Sequence, residues 1–147
     1  MTDLHSRPRD FGREELLDRL RDFHGHLGPF AILGYRAGVL ARRELELPSH
    51  FGLSATVHCP DAPPPSCFVD GVQYSTGCTL GKRNIELIPD VVISLTVTGN
   101  ESGATLTVVP RREIITAFAR WLAGTDPETV ALRVLEMPDE ELFQPRD

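Results

Sequence analysis

No stretch of this 147-residue chain approaches the ~20 consecutive apolar residues that a membrane-spanning helix needs. The polar N-terminal residues, among them His5, Arg7 and Arg9, lead into no hydrophobic run, so a secretory signal peptide is not expected there. The sequence therefore predicts neither a membrane protein nor a secreted one. The expected location is the cytoplasm.

Cysteine occurs only three times, and no two cysteines form the Cys-x-x-Cys pair of a zinc ribbon or a redox motif. A small, odd number of thiols without a secretory context argues against a disulfide framework. Thiols that stay reduced remain available to a metal ion. The cysteines are therefore candidates for chemistry rather than for crosslinks.

Positive charge is also scarce, because 15 Lys and Arg against 21 Asp and Glu give a formal net charge of −6. A protein that binds nucleic acid non-specifically usually carries a basic stripe, so no nucleic-acid partner is expected. The proportions of hydrophobic residues, 41%, and charged residues, 24%, are those of a soluble globular protein. We expect one domain over residues 12–147 that follows a flexible, polar tail of residues 1–11.

The spacing of apolar residues predicts two helices at the N-terminal side of this domain. The first covers Arg13 to Arg21 and carries three leucines on one stripe. The second begins at Pro29, a residue suited to a first helical position, and runs to about Leu45. Gly34 and Gly38 lie four apart on one face of the second helix, which allows another element to pack closely there.

Short runs rich in β-branched residues predict a small sheet in the middle of the chain. One of these runs alternates apolar with polar residues, which indicates a sheet with one buried face. The last two predicted strands form a hairpin around a glycine-containing loop. The four predicted strands cover Leu53–His58, Ile85–Ile88, Val91–Thr98 and Ala104–Val109.

Further helices are predicted between and after the strands. Ser66 is expected to cap a short helix over Cys67–Ser75. Pro110 is expected to begin a helix that runs through Leu122, and Asp126 to cap the next one. Helices first, a small and mostly antiparallel sheet in the middle and helices last predict a single α+β domain.

Two histidines flank a glycine in the segment Phe23-His24-Gly25-His26-Leu27-Gly28-Pro29, directly before the second helix. Histidines two positions apart point to opposite sides of a helix, but in an extended turn they can converge, and Gly25 allows such a turn. Imidazole nitrogen is a common ligand of zinc. His24 and His26 are therefore candidate metal ligands, and the alternative is two turn histidines with only local hydrogen bonds.

Two of the three cysteines lie in a second glycine-containing segment. Cys67 and Asp70 are three positions apart, so on a helix both face the same way. Cys78 lies between Gly77 and Thr79, a setting expected to be open to solvent and to lower its pKa, which would make it a thiolate ligand or a nucleophile. For Cys67 two interpretations stay open, a metal ligand or a small buried hydrophobic residue.

The stretch Gly77-Cys78-Thr79-Leu80-Gly81-Lys82-Arg83 has the glycines and the lysine of a phosphate-binding P-loop but departs from it twice. Three residues rather than four separate the glycines, and Arg83 stands where Ser or Thr would hold magnesium. A nucleotide triphosphatase is therefore not expected. Lys82 is either a positive charge for an anionic substrate or a solvated surface lysine. The cluster His58-Cys59-Pro60-Asp61 is weaker, because a strand end explains it without chemistry.

The two segments, in this order, resemble the FmdE family, named for the E subunit of formylmethanofuran dehydrogenase. Its members carry Phe-His-Gly-His and a Gly-Tyr-Arg-x-Gly helix, which are matched here by Phe23 to His26 and by Gly34 to Gly38. They also carry Cys-x-x-Asp-Gly/Ala-x-Gln leading to Gly-Cys-Thr-x-Gly-Lys. Those positions are Cys67, Asp70, Gly71, Gln73, Gly77, Cys78, Thr79, Gly81 and Lys82. The resemblance spans roughly residues 13 to 110.

The resemblance implies an α+β domain, commonly a homodimer, with a transition metal such as zinc in a pocket near the subunit interface. By residue-to-residue match, it implies that the metal ligands are His24 or His26, Cys67 and Cys78. Many members read His-Gly-His-Leu-Cys-Pro-Gly, whereas this chain has Gly28 at the position of that cysteine. One thiolate is therefore missing, which would change the affinity or the choice of metal.

Two classes of function follow from the resemblance. As an enzyme or part of an enzyme complex, the chain would use an open metal site in a hydrolytic or acyl-transfer step on a small polar, formyl-type substrate. The candidate catalytic residues are Cys78, Asp70 and Lys82, with the carboxylate moving protons and the lysine steering an anion. Gly77 and Thr79 are the candidate substrate-binding residues.

As an accessory module, the chain would hold a metal or a small ligand to stabilise a dimer or a larger enzyme complex, without turnover. A third alternative, a thiol enzyme, needs Cys78 within hydrogen-bond reach of His24 or His26 and no metal. A closed site with four protein ligands would favour the accessory role. An open coordination position that faces a cleft would favour catalysis.

Overall fold

Six helices and four strands make up the part of the chain that the computed structural model describes, residues 12–146. The helices are α1 Arg13–His24, α2 Pro29–Leu45, α3 Cys67–Thr76, α4 Arg112–Gly124, α5 Pro127–Glu136 and α6 Asp139–Leu142. The strands are β1 Leu53–Cys59, β2 Ile85–Pro89, β3 Ser94–Gly99 and β4 Thr105–Val108. This order confirms the predicted single α+β domain. The predicted tail of residues 1–11 lies outside the described residues.

The four strands form one mixed sheet in the order β2-β1-β3-β4. Strand β1 is parallel to β2, whereas β1 with β3 and β3 with β4 are antiparallel, so the prediction of a mostly antiparallel sheet is confirmed. Alternate side chains of β1 and β3 are buried, as in Val57 and its cross-strand partner Leu95. One face of the sheet therefore packs on the core, as the alternation predicted.

The third strand is shorter than the apolar run that predicted it. It begins at Ser94, whereas Val91 is 90% exposed and lies before the strand. The chain turns after β2, where the N–H of Val92 donates to Oδ1 of Asp90 at 3.2 Å. This turn takes the two valines out of the sheet, so the prediction that the strand begins at Val91 is wrong.

Two of the predicted helix starts also need correction. Ser66 precedes α3, but its side chain makes no capping hydrogen bond and its backbone is already helical, so the predicted serine cap is wrong. Helix α4 begins at Arg112 rather than at Pro110, because Pro110 pairs with Phe143 in an isolated β-bridge. The cap of α5 is confirmed, since the Asp126 side chain accepts a hydrogen bond from a backbone N–H in the first turn of that helix.

Helices α2 and α3 cross with their backbones almost in contact. A Cβ atom added to Gly34 would lie 2.0 Å from the carbonyl oxygen of Phe68, and one added to Gly71 would lie 1.9 Å from that of Ala31. A Cβ atom at Gly38 would clash with α3 in the same way. Only glycine fits at such distances. The predicted close approach is confirmed, and the element that approaches is α3 of the same chain.

Helix α2 lies at the centre of the fold. It packs on α3, on strands β3 and β4, and on α5 and α6. Its apolar residues are consequently buried within this chain, with Ile32, Leu33 and Leu40 at most 1% exposed. None of the helices between residues 12 and 146 is long and apolar enough to cross a membrane.

Candidate functional site

A pocket of about 390 Å³ opens where the α1–α2 turn, the start of α3 and the corner between α4 and α5 meet. The turn contributes His24 and His26 to the lining, and α3 contributes Cys67. The rest of the wall is mostly apolar, and its members include Pro29, Phe30, Pro63, Pro64, Leu122 and Pro127. A concave, largely apolar cavity with a few convergent polar groups is typical of a small-ligand site.

His24 is held at the edge of this pocket by Asp70. Helix α1 ends at His24 because Gly25 takes a left-handed backbone conformation, with φ of 102°, and turns the chain toward α2. Nδ1 of His24 lies 2.6 Å from Oδ2 of Asp70, in the first turn of α3. A carboxylate accepts a hydrogen bond, so Nδ1 carries the proton.

The other ring nitrogen of His24 is buried and unused. The side chain is 7% exposed, and Nε2 has no hydrogen-bond partner among the described residues. A buried polar atom without a partner costs about 1–3 kcal/mol, so such atoms in native proteins call for a functional explanation. With Nδ1 protonated, Nε2 keeps a free lone pair.

His26 brings a second imidazole to the same place. Its ring centre lies 4.8 Å from that of His24, and the two planes are tilted by 40°. Imidazoles that share one zinc ion, with Zn–N of about 2.0–2.1 Å, have ring centres about 5 Å apart. The ring lies close above Gly28, where an added Cβ atom would be 3.3 Å from Cε1. Unlike His24, His26 is exposed to solvent.

Cys67 begins α3 and adds a thiol to the pocket lining. Partial burial raises the pKa of this thiol, and the nearby charge of Asp70 raises it further. The thiol is therefore neutral near pH 7 unless a metal displaces its proton. The structure places Cys67 and Asp70 on one side of α3, as their spacing predicted, although Asp70 acts on His24.

Cys78 lies at the opposite end of α3. Cys67 is the first of the ten residues of α3, and Cys78 lies two positions after the last one, Thr76. The helix is about 15 Å long, so one ion cannot be bound by Cys67 and Cys78 of the same chain. Cys78 is 0% exposed. Burial raises the pKa of its thiol, against smaller opposing effects of Thr76, Lys82 and Arg42. The prediction of a solvent-open Cys78 with a lowered pKa is therefore wrong.

The other residues of the glycine-containing segment surround Cys78 rather than the pocket. Gly77 ends α3 with φ of 76°, and an added Cβ atom there would lie 2.7 Å from the backbone nitrogen of His50. Nζ of Lys82 donates to Oγ1 of Thr79 at 2.9 Å and lies 5.6 Å from the ring centre of Phe51. The structure thus divides the candidate residues between the two ends of α3.

Within residues 12–146, no three His, Cys, Asp or Glu side chains converge in a geometry that would hold a metal ion. His24, His26 and Cys67 all line the pocket, but their donor atoms do not converge on one point. His24 has the orientation of a metal ligand, because its other nitrogen is bound to a carboxylate. His26 is exposed and would have to turn to complete the site.

The apolar wall of the pocket carried no local signal in the sequence, because Phe30, Leu122 and Pro127 come from three separate elements. The cluster His58-Cys59-Pro60-Asp61, which the sequence offered as a weaker candidate, makes no contribution to this wall. His58 pairs with Asp90 at 3.2 Å on the sheet, and burial, followed by the nearby charge of Asp61, raises the pKa of Cys59 to about 11.

A solved structure from Syntrophus aciditrophicus, described as a tungsten formylmethanofuran dehydrogenase FmdE-like protein, has a similar fold. The TM-score is 0.66 at 21% sequence identity, and the match covers 97% of this chain and 74% of that one. A protein of Archaeoglobus fulgidus, described as a probable S-adenosyl-L-methionine-binding protein, is 40% identical over 76 residues. That match covers 48% of this chain and 19% of the relative, so the chain spans about a fifth of the relative's length.

The family described as FmdE, molybdenum formylmethanofuran dehydrogenase operon, matches residues 23–144. The match begins at Phe23, the residue before His24, and includes both ends of α3. It extends well past residue 110, where the resemblance of the sequence motifs ended. The pocket and the segment around Cys78 are thus both within the shared region, and the chain belongs to the FmdE family.

Proposed function

We propose that this domain is a cytoplasmic, metal-binding member of the FmdE family, and that its pocket binds one transition-metal ion, most readily zinc. The observation that carries the proposal is the buried Nε2 of His24, which lacks a partner among the described residues while Nδ1 is bound to Asp70. Histidines that bind metals almost always donate their second N–H to a carboxylate, a carbonyl or a water. Asp70 would hold this tautomer and orient the ring.

His26 and Cys67 are the proposed additional ligands. The spacing of the two imidazole rings suits a shared ion, and the exposure of His26 leaves room for its ring to turn. Nitrogen and sulfur are the donors that zinc prefers. Three protein ligands would leave a fourth position open, which favours a catalytic over a purely structural role. Bound zinc would supply Lewis-acid chemistry there.

The residues of the chain would prepare this position for a small, formyl-type substrate. Asp70 keeps the proton on Nδ1 of His24, so the lone pair of Nε2 stays available to a metal ion. The apolar wall, with Phe30 and Leu122, would exclude water from the polar groups and strengthen their electrostatic effect. The reaction supported by this arrangement is a hydrolytic or acyl-transfer step.

The proposal includes assembly with other chains. The family description refers to the formylmethanofuran dehydrogenase operon, which supports a role beside that enzyme, as one component of a larger complex. Strand β2 is an edge strand, and Leu87, Val91 and Val92 near it are exposed apolar residues that suit a homodimer contact. Light scattering after size-exclusion chromatography measures the mass of the assembly.

Elemental analysis of untagged protein, purified without chelators, tests the metal site. We expect about one zinc per chain in the wild type and in His58→Ala, whose histidine lies outside the pocket, and loss of zinc in His24→Ala and His24→Gln. Cys78→Ser should keep the metal. Circular dichroism checks that each variant is folded. Zinc that survives in both His24 variants but disappears in Cys78→Ser would place the metal at the other end of α3 and refute the proposal.

A further inference from the structure

A second concavity, of about 330 Å³, lies beside the corner between α4 and α5 and is called the arginine groove below. Its lining residues are Arg120, Trp121, Gly124, Thr125, Thr129, Val130 and Arg133. None of them lines the pocket that contains His24 and Cys67. A ligand in the arginine groove would therefore occupy a site separate from the proposed metal site.

Arg133 is held against Trp121 by a cation–π contact. Its Cζ atom lies 3.7 Å from the centre of the Trp121 ring. At that distance the guanidinium must lie flat on the ring, because an edge-on guanidinium would push a nitrogen into it. A flat guanidinium keeps its N–H donors in its own plane, where they can reach an acceptor beside the ring. The contact thus restricts a long side chain before any ligand arrives.

Both arginines of the groove lack a negatively charged partner. Within the described part of the chain, neither Arg120 nor Arg133 forms an ion pair or donates a hydrogen bond, and no Asp or Glu lines the groove. Six other described arginines do pair with a carboxylate. The acidic residues nearest in sequence are already engaged, because Asp126 caps α5 and Glu128 pairs with Arg21. The charge of the groove is therefore left for an external anion.

We infer that the arginine groove binds an oxyanion, the phosphate or carboxylate group of a small molecule, between Arg120 and Arg133. Guanidinium groups bind such oxygens through paired, charge-assisted hydrogen bonds. Thr125 and Thr129, which also line the groove, carry hydroxyl groups that can add donors. The volume limits the ligand, since about 330 Å³ holds only about eleven waters at ~30 Å³ each.

Trp121 is the only tryptophan of the chain, so its fluorescence reports on this groove. The full chain is titrated with methyl phosphate and with acetate, at an ionic strength held constant with sodium chloride. We expect a saturable change in emission, because an oxyanion on Arg133 alters the charge that rests on the ring. The indole N–H resonance of ¹⁵N-labelled protein should shift with the same dissociation constant. The anion that binds more tightly identifies the class of the natural ligand.

Substitutions of the arginines test the site directly. Arg120→Gln and Arg133→Gln should each weaken binding about tenfold, because each removes charge-assisted hydrogen bonds. Arg133→Lys keeps the charge but loses the fork of donors, so it should recover only part of the loss. The matched control is Arg112→Gln, an exposed arginine at the other end of α4 and outside the groove. It removes the same charge and should leave the dissociation constant unchanged.

Three results would overturn the site. One is unchanged binding in both Arg120→Gln and Arg133→Gln. Another is an equal weakening in Arg112→Gln, which would mean that the anions respond only to net charge. The third is a loss of anion binding in His24→Ala, since the groove and the pocket share no lining residue and this variant should bind as the wild type does.

A peptide of four glutamates compares a small ligand with an acidic segment of a partner protein. The small groove should bind the peptide no more tightly than it binds the better of the two small anions. Peptide binding that is tighter by tenfold or more, and that is lost in Arg133→Gln, would overturn the small-molecule ligand and assign the groove to a protein contact.

Discussion

Nδ1 of His24 and Oδ2 of Asp70 lie 2.6 Å apart, although 46 positions separate the two residues in the chain. The contact exists because α3 is pressed onto α2, which brings the first turn of α3 beside the turn that precedes α2. It fixes the tautomer of a histidine whose other nitrogen is buried and has no partner among the described residues. This arrangement makes the carboxylate a positioning residue for whatever binds Nε2.

Replacing Asp70 by Asn should weaken zinc binding by about 10- to 100-fold without unfolding the protein, because a neutral amide holds the imidazole less firmly and makes it less basic. Competition with a chromophoric chelator measures the affinity. The matched control is Asp90→Asn, since Asp90 pairs with His58 at 3.2 Å outside the pocket. Equal zinc affinities for the two variants would contradict the role assigned to Asp70.

The three thiols should differ sharply in reactivity. Cys67 is partly exposed and lines the pocket, whereas Cys59 and Cys78 are both 0% exposed. Iodoacetamide at neutral pH should therefore modify Cys67 alone in the folded protein, and slowly, because burial and Asp70 raise the pKa of that thiol. The rate should rise with pH as the thiolate forms.

Peptide mapping by mass spectrometry identifies the modified thiol, and protein unfolded in urea serves as the control in which all three react. If zinc binds in the pocket, adding one equivalent should slow the modification of Cys67. Rapid labelling of Cys78 in folded protein would show that the buried position described for it is not the one populated in solution.

The elements around the site were largely predictable from the sequence. The turn after His24 and the close approach at Gly34 both follow from local chemistry, namely a glycine that allows a left-handed turn and glycines four apart on one helix face. The helix that begins at Cys67 was also predicted, although the serine cap expected at its start does not form. The length of α3 was also predictable. Taken with the rise of about 1.5 Å per helical residue, it already separates Cys67 from Cys78.

The pairing of His24 with Asp70 was not predictable, because it depends on where α3 crosses α2. That crossing is fixed by several close backbone contacts at once, and a shift by one residue would turn Asp70 to another side of its helix. The apolar wall of the pocket was not predictable for a similar reason. A proline loop, a helix end and the start of the next helix form it together, and each is unremarkable alone.

Adding one methyl group at Gly34 should destabilise the fold. In Gly34→Ala the new Cβ atom would lie 2.0 Å from the carbonyl oxygen of Phe68, so α2 and α3 must separate, at a cost of about 1–3 kcal/mol or more. The control is Gly124→Ala at the end of α4, where no atom of the described residues lies within 4 Å of the added one. That variant should be neutral or slightly stabilised, because alanine favours a helix.

Urea denaturation followed by circular dichroism gives the free energy of unfolding of both variants. The Gly34→Ala variant should also lose zinc affinity, since moving α3 displaces Asp70 from His24. A Gly34→Ala protein as stable as Gly124→Ala would be incompatible with the backbone contact seen between α2 and α3.

Asp139 should make the fold sensitive to acid. Burial alone would raise the pKa of this carboxyl, but hydrogen bonds from Arg36, at 2.8 Å, and Arg43, at 2.6 Å, outweigh burial and hold its pKa below the ordinary value of 3.8. A carboxyl whose pKa is lower in the folded state stabilises the fold above its unfolded pKa, and this contribution is lost as the pH falls through the folded pKa. The free energy of unfolding should therefore drop below about pH 4.

The Asp139→Asn variant removes this titration. It should be less stable than the wild type at pH 7, because Arg36 and Arg43 on α2 lose their carboxylate partner on α6, and its stability should fall less steeply between about pH 4 and pH 2. Urea unfolding at a series of pH values measures both effects, with Asp61→Asn as an exposed control that should follow the wild-type curve. Arg36 also donates to the carbonyl oxygen of Leu135 at 2.9 Å, so it should hold α5 in place even after the carboxylate is gone. If the free energy of unfolding of Asp139→Asn falls with decreasing pH as steeply as that of the wild type, other carboxyls govern the acid sensitivity.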